Sequence, residues 1–185
     1  MQTQSRSDAL VAAYIEQNPN RPGKDEARLK NYGVSVWAII GYWKSSNGDM
    51  SETAAGYDVP AEAVEAAVAY YERYKIIIDN RLAANDPDEE DRLRDALLHD
   101  PDERVRRWLE PNPHRLGAEE VRLRKYGVSV WAIVDKYHTF KGGVPQAARE
   151  YDVPVEAIQA AIIYYQRNKE IIDNRRAANY PEYVD

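Results

Sequence analysis

Apolar residues recur three and four positions apart along most of the chain, and this pattern predicts a mainly helical protein. The helices predicted for the first half cover residues 7–16, 36–44, 49–56 and 60–84. The last of them is expected to bend or fray near Tyr74. Ser35 can cap the second helix, and Asp49 with Glu52 has the spacing of a capping box. We therefore expect an all-α fold with at most very short β-strands.

The pattern occurs twice in the chain. Residues 14–85 align with residues 108–179 at a constant offset of 94 positions, without a gap, and roughly half of the aligned residues are identical. A repeat of this length is a whole small domain rather than one unit of a solenoid. We predict two like domains, residues 1–86 and 101–185, joined by a helical connector at 87–100. They are expected to be related by a pseudo-twofold axis, as an intramolecular pseudo-dimer.

Two shorter elements are predicted from local signals. Residues 27–30 alternate in polarity, which indicates a very short strand that could pair with its counterpart across the pseudo-dyad. At the start of the second copy, Asp100 is a candidate N-cap, Pro101 fits the first helical position and Glu103 completes a capping box.

The long helix at 60–84 has an apolar stripe wider than one face, as does its counterpart in the second copy. A helix with so wide an apolar arc needs partners on two sides, so one side is expected to pack against the sister copy. The alternative is that its tyrosines are half-wetted surface residues. The residues predicted to pack between the repeats are Val64, Val68, Tyr71, Ile78, Ile158, Ile162, Tyr165 and Ile172.

The segment around Tyr57-Asp58-Val59-Pro60 has the spacing of a helix-turn-helix. A DNA-reading helix would carry Arg, Lys, Asn or Gln towards the bases and phosphates. The second helix here offers Glu62 and Glu65 instead, and its first basic residue is Arg73. The pattern therefore favours packing and partner binding over DNA reading.

Composition narrows the class of protein further. Hydrophobic residues make up 44% of the 185 residues, charged residues 30%, and there is no cysteine. This excludes disulfides and thiolate chemistry and makes a cytoplasmic protein without a membrane span the simplest expectation. The net charge of −6 disfavours nucleic-acid binding, although the charge is −2 over residues 14–85 and +2 over residues 108–179. The more positive second copy could have specialised to meet an acidic partner.

Candidate chemistry is sparse. The three histidines do not recur between the copies, and the recurring carboxylates are scattered among caps, turns and helix faces. We predict no catalytic residues, no metal site and no cofactor, hence a non-enzymatic binding protein. An enzyme would instead need a cleft lined by converging carboxylates or histidines.

Three motifs resemble the prokaryotic domain-of-unknown-function 433 family: Val-Ser-Val-Trp-Ala-Ile-Ile, Tyr-Asp-Val-Pro followed by an alanine-rich helix, and Tyr-Tyr before Ile-Asp. They occupy residues 34–40, 57–67, 70–71 and 78–79. The same pattern recurs at 128–134, where the last residue is Val134, and at 151–161, 164–165 and 172–173. The resemblance implies small helix-turn-helix-type domains and an antitoxin-like protein that sequesters a PIN-type ribonuclease toxin.

The resemblance also suggests a mechanism as a hypothesis. PIN-type nucleases hold magnesium with clustered carboxylates, and an inserted arginine could displace that metal. The candidate partner-binding residues are Arg81, Arg175, Arg176, Tyr180 and Tyr183. All of them except Arg81 lie in the segment 175–185, a tail that is either a frayed terminus or a binding segment. The alternative function is a DNA-binding repressor that uses the paired helix-turn-helix units, and further homo-oligomerisation stays open.

Overall fold

Helices account for most of residues 2–179, the part of the chain that the computed structural model describes. The tertiary contacts divide these residues into two units, unit 1 up to Leu82 and unit 2 from Ala83 onward. The predicted all-α class is confirmed, since extended pairing within residues 2–179 is limited to two very short ladders and isolated bridges. None of the helices over this range combines the length and the apolar composition that a membrane span requires.

In its described residues, unit 1 has one helix before its short ladder and four helices after the ladder. Its elements are α1 (Gln2–Tyr14), β1 (Ile15–Glu16), a 3-10 turn (Lys24–Glu26), β2 (Arg28–Leu29), α2 (Val36–Ser45), α3 (Met50–Tyr57), α4 (Ala61–Arg73) and α5 (Lys75–Ala83), which ends at the boundary.

Unit 2 begins with the connector helix and then follows the same order. Its elements are α6 (Glu89–Leu98), α7 (Glu103–Trp108), β3 (Leu109–Glu110), a 3-10 turn (Ala118–Glu120), β4 (Arg122–Leu123), α8 (Val130–Thr139), α9 (Val144–Tyr151), α10 (Val155–Arg167) and α11 (Lys169–Asn179). From β1 to α4, each element of unit 1 recurs in unit 2 with both bounds displaced by 94 positions.

The short strands pair within each unit, so the predicted pairing between the copies is wrong. β1 and β2 are antiparallel, with Ile15 opposite Leu29 and Glu16 opposite Arg28. Arg28 Nε also donates to Glu16 Oε1 at 2.8 Å. The loop after the first helix returns the chain on itself, so the strand finds its partner in the residues that directly follow that helix. Leu109 and Leu123 are paired in the same way in unit 2.

The long helix predicted over residues 60–84 is two helices, and the break lies at the predicted position. Tyr74 has φ −122° and ψ 34°, and it separates α4 from α5. In a continuous helix, eight residues rise about 12 Å. The break instead lets the Tyr71 hydroxyl donate to Asp79 at 3.1 Å and buries Ile78 in the same core as Tyr71.

The start of the second copy differs from the prediction in its cap. Asp102, not Asp100, is the N-cap of α7, and its side chain accepts a hydrogen bond from the Arg104 N–H at 2.9 Å. Asp100 instead pairs with Arg167 at 2.6 Å. Of the connector helix α6, Leu93 and Leu97 are buried in the core of unit 2, so this helix is a packed part of that unit.

Each unit has its own hydrophobic core. All of the residues predicted to pack between the repeats belong to these cores, with Val68 partly buried and the others buried. This accounts for their apolar character within each unit, and packing between the repeats stays a prediction.

Candidate interaction site

The helix-turn-helix segment of unit 1 is built by local capping. Asp49 accepts a hydrogen bond from the Glu52 N–H at 2.9 Å, which confirms the predicted cap of α3. Asp58 adopts the left-handed conformation, with φ 52°, and ends that helix. Val59 then donates its N–H to Ala54 O at 3.0 Å and is buried in the core, which fixes the turn against the unit.

A tyrosine anchors this turn to α2. The Tyr57 hydroxyl donates to Ala38 O at 3.0 Å, and the Tyr151 hydroxyl donates to Ala132 O at 2.8 Å in unit 2. Asp152 has the same φ of 52° as its counterpart in unit 1. The two units therefore present a helix, a tight turn and a second helix with the same local geometry, which is compatible with a helix-turn-helix.

The charge on this segment differs sharply between the units. In unit 1 no lysine or arginine lies between Lys44 and Arg73. The acidic residues of that interval are exposed except for the half-buried Glu65, and they are Asp49, Glu52, Asp58, Glu62, Glu65 and Glu72. We call this surface the acidic face.

Unit 2 has a weaker version of the acidic face. The positions equivalent to Glu52, Glu65 and Glu72 are occupied by glutamine, as Gln146, Gln159 and Gln166. Two exposed cations, Lys141 and Arg149, also lie in the corresponding interval of unit 2. The same backbone thus displays a strongly acidic surface in one unit and a nearly neutral one in the other.

The arginines proposed for partner binding are half-buried and ion-paired within their own units. Arg81 lies 3.1 Å from Glu26, and Arg175 Nε donates to the buried Glu120 at 2.6 Å. Arg175 was expected near a tail, but it lies inside α11. The spacing along the chain does not predict these pairs, although both members of each pair recur at the constant offset.

A tryptophan completes each of these pairs. The Arg81 guanidinium lies 5.1 Å from the centre of the Trp37 ring, and the Arg175 guanidinium lies 5.0 Å from that of Trp131. Both tryptophans pack against their cores and also contact a cation on the ring face. The carboxylate and the tryptophan ring therefore both constrain the position of each guanidinium.

Arg176 is held less tightly than Arg175. It donates to Asp173 at 3.0 Å and to Asp135 at 3.3 Å, and both carboxylates are partly exposed. The other two predicted partner-binding residues, Tyr180 and Tyr183, lie outside the described residues.

A carboxylate two residues before each recurring arginine accepts hydrogen bonds from several polar groups. Asp79 receives hydrogen bonds from Lys44, Lys75 and the Tyr71 hydroxyl. Burial alone would raise the pKa of the Asp79 carboxyl, but these donors outweigh it and hold the pKa below its usual value. The pair of Asp79 with Lys75 has the four-residue spacing of a surface helix pair.

The equivalent carboxylate in unit 2, Asp173, has a different set of partners. It receives bonds from Lys169, Tyr165 and Arg176, and its pKa is lowered for the same reason as that of Asp79. His138 replaces Lys44 and lies 3.4 Å from the Tyr165 hydroxyl. Within residues 2–179 no cluster of three or more histidine or carboxylate side chains could hold a metal ion.

Comparison with protein-family models, with curated proteins and with solved structures returned no match for this chain.

Proposed function

We propose that this chain is an antitoxin-like binding protein that sequesters a PIN-type ribonuclease. The observation that carries the proposal is the acidic face of unit 1, whose segment has no lysine or arginine between Lys44 and Arg73. Of its carboxylates, Glu65 is paired with Arg6 of α1 at 2.9 Å. The partner class comes from the resemblance of both repeats to the domain-of-unknown-function 433 family.

Charge complementarity favours a nuclease over DNA as the partner. Phosphate backbones attract lysine and arginine, so carboxylates on the second helix would repel DNA. The groove of an enzyme that binds single-stranded RNA is positively charged for the same reason. An acidic surface opposite such a groove would speed association and block access of RNA.

An inserted arginine is the second element of the proposal, and the candidates differ in what their release costs. Moving Arg175 into a partner would strand Glu120 in the interior, and breaking a buried pair costs about 3–5 kcal/mol. Arg176 is also half-buried, but its carboxylate partners are more exposed than Glu120 and can be solvated when it leaves, so its release costs less. Arg176 is therefore better suited to enter a nuclease than Arg175 or Arg81.

The acidic face can be neutralised with residues that unit 2 already carries. One triple variant combines Glu52→Gln, Glu65→Gln and Glu72→Gln. It should fold, because unit 2 has glutamine at all three equivalent positions. We expect it to bind a PIN-type ribonuclease encoded next to this chain about tenfold or more weakly, a loss of about 1.4 kcal/mol. Binding and inhibition of RNA cleavage are measured at two salt concentrations, since the acidic face should act mainly through the association rate.

The control converts unit 2 instead, with Gln146→Glu, Gln159→Glu and Gln166→Glu. This variant should inhibit as the natural chain does. Unchanged inhibition by the neutralised unit 1 variant would overturn the role of the acidic face. Unchanged inhibition by Arg176→Ala would remove the inserted-arginine mechanism.

A gel shift on the promoter of the chain's own gene tests the alternative repressor function. Antitoxin-like binding without operator contact predicts no shift at physiological salt. A sequence-specific shift that weakens steeply with salt would instead favour a DNA-binding repressor.

A further inference from the structure

Unit 2 contains a pocket of about 220 Å³ between the connector helix α6 and the β3–β4 ladder. Glu90, Arg94 and Leu98 form its helical wall. They are spaced four residues apart, so they lie on one face of α6. The volume is below the roughly 300 Å³ at which pockets for drug-sized ligands begin, so the pocket suits a smaller group.

The opposite wall is the outer face of the ladder. Leu109 and Leu123 are opposite each other and fully buried, so the next residues along each strand point the other way. These are Glu110 and Arg122, and both line the pocket. Arg124, two residues further, lies on the same side and also lines it.

One of the three arginines in the pocket lacks a carboxylate partner. Arg94 pairs with Glu90 and with Asp91 at 2.8 Å, and Arg122 pairs with Glu110 at 3.0 Å. Arg124 donates from Nη2 to Leu109 O at 3.0 Å, and within residues 2–179 it has no ion pair.

The Nε–H of Arg124 is also buried without an acceptor in the described part of the chain. A guanidinium is always charged and matches the two oxygens of an oxyanion with its planar fork. Arg124 is therefore the one arginine of the pocket whose charge has no carboxylate partner in the described residues, although its Nη2 is bonded to Leu109 O.

The remaining walls are apolar. Pro111 and Pro113 line the pocket beside Leu98, and the Leu98 side chain is among the most exposed large apolar groups described, at 53%. Unit 1 has Gln17 and Lys30 at the positions of Pro111 and Arg124. Lys30 donates to Ala12 O and has no fork to offer. The combination of apolar walls and an uncompensated guanidinium is thus particular to unit 2.

We propose that this pocket binds the carboxylate of a small aliphatic acid, with Arg124 as its cation and Leu98, Pro111 and Pro113 around its apolar part. The shared chemistry is a carboxylate next to a short apolar side chain. It could come from a free acid or from the C-terminal residue of a peptide. The proposal is independent of the antitoxin function, because none of these residues belongs to the acidic face.

The test is calorimetric titration of the full chain with N-acetyl-leucine and with its neutral amide, which differ only in the carboxylate. We expect saturable one-to-one binding of the acid, and binding of the amide about tenfold weaker or absent. Arg124→Lys, which installs the residue of unit 1, should weaken binding several-fold, and Arg124→Gln should abolish it. Lys30→Gln in unit 1 is the matched control and should leave binding unchanged.

Leu98→Glu provides a second variant that does not disturb the core, because Leu98 is exposed. It should abolish binding while the far-ultraviolet circular dichroism stays that of the natural chain. The proposal is overturned if N-acetyl-leucine shows no saturable binding, if the amide binds equally well, or if Leu98→Glu and a folded Arg124→Gln variant both still bind. A tetrapeptide that ends in leucine distinguishes the sources. If the tetrapeptide binds more tightly than N-acetyl-leucine, the natural ligand is the C-terminal residue of a peptide. If the two bind equally, the natural ligand is a free acid.

Discussion

Arg175 and Glu120 form an ion pair in the interior of unit 2, with Arg175 Nε donating to Glu120 Oε1 at 2.6 Å. Glu120 is only 6% exposed. Arg115, at 3.8 Å, is a more distant second cation. Removing the guanidinium would therefore leave a buried carboxylate with weak compensation.

We expect Arg175→Met to lower the free energy of unfolding by about 3 kcal/mol, because breaking a buried pair strands the remaining charge. Glu120→Gln keeps a hydrogen-bond acceptor and should cost about 1 kcal/mol. The measurement is urea unfolding followed by circular dichroism. Arg81→Met in unit 1 is the matched control, and its loss should be smaller because Glu26 is less buried than Glu120. Equal losses at the two arginines would contradict this ranking.

Two equivalent positions carry a charged pair in unit 2 and an apolar contact in unit 1. Asp135 pairs with Arg176 at 3.3 Å, whereas unit 1 has Gly41 and Leu82 there. A Cβ added at Gly41 would lie 3.2 Å from Leu82 Cδ2. Gly41→Asp alone should therefore destabilise the chain by about 2 kcal/mol, because it places a carboxylate against a methyl group.

Adding Leu82→Arg should recover most of that loss, since it rebuilds the pair found in unit 2. A double-mutant cycle on the free energy of unfolding measures the coupling between the two positions. Additive losses would show that the charged pair does not transfer between the units.

The buried Tyr70 predicts a loss of stability at high pH. Burial raises the pKa of its hydroxyl to about 12, from the ordinary 10.0. Because the folded state holds the proton more tightly than the unfolded state, the stabilisation is complete below pH 10 and is lost as the pH rises towards 12. The loss from this residue is roughly 3 kcal/mol when complete, at 1.36 kcal/mol for each unit of pKa.

Tyr70→Phe should reduce the slope with which the free energy of unfolding falls above pH 10. It should also lower stability at pH 8, because it removes the hydrogen bond to Lys24 O at 3.1 Å. Burial also raises the pKa of Tyr164, so Tyr164→Phe should reduce the slope further. Unfolding curves at pH 8, 10 and 11 test both variants. An unchanged slope in the double variant would rule out the buried tyrosines as its cause.

Asp58 ends α3 in the left-handed conformation, with φ 52° and ψ 50°. A β-branched residue is strained in this region, so Asp58→Val should cost about 1–2 kcal/mol. Asp58→Gly should be neutral or stabilising, because glycine adopts this conformation without strain. Thermal unfolding of both variants tests the turn, and Asp152→Val should reproduce the loss in unit 2. A tolerated valine at both positions would mean that the turn can relax.

Local signals were sufficient for much of the fold. Several features depend only on residues within one or two helical turns of each other. They are the cap at Asp49, the turn at Asp58 with the buried Val59, and the break at Tyr74. Helical spacing and capping chemistry act over such short distances, so the sequence alone determined where most helices lie. Two of the predicted ends are wrong: residues 15–16, predicted as the end of the first helix, form β1, and α7 is capped by Asp102. The acidic face can also be recognised in the sequence, because its residues lie in one interval that contains carboxylates and no lysine or arginine.

The tertiary structure decided which distant residues meet. Glu120 and Arg175 are 55 positions apart, and the strand at Arg28 pairs with Glu16 in its own unit rather than across the copies. The apolar stripe on α4 and α10 was equally compatible with packing inside a unit. Long-range pairing depends on how several elements pack at once, and neither charge nor periodicity along one segment specifies that packing. For this reason the sequence determined the helices and the charge of the unit 1 face, whereas the three-dimensional packing determined the ion pairs that hold Arg81, Arg175 and Arg176.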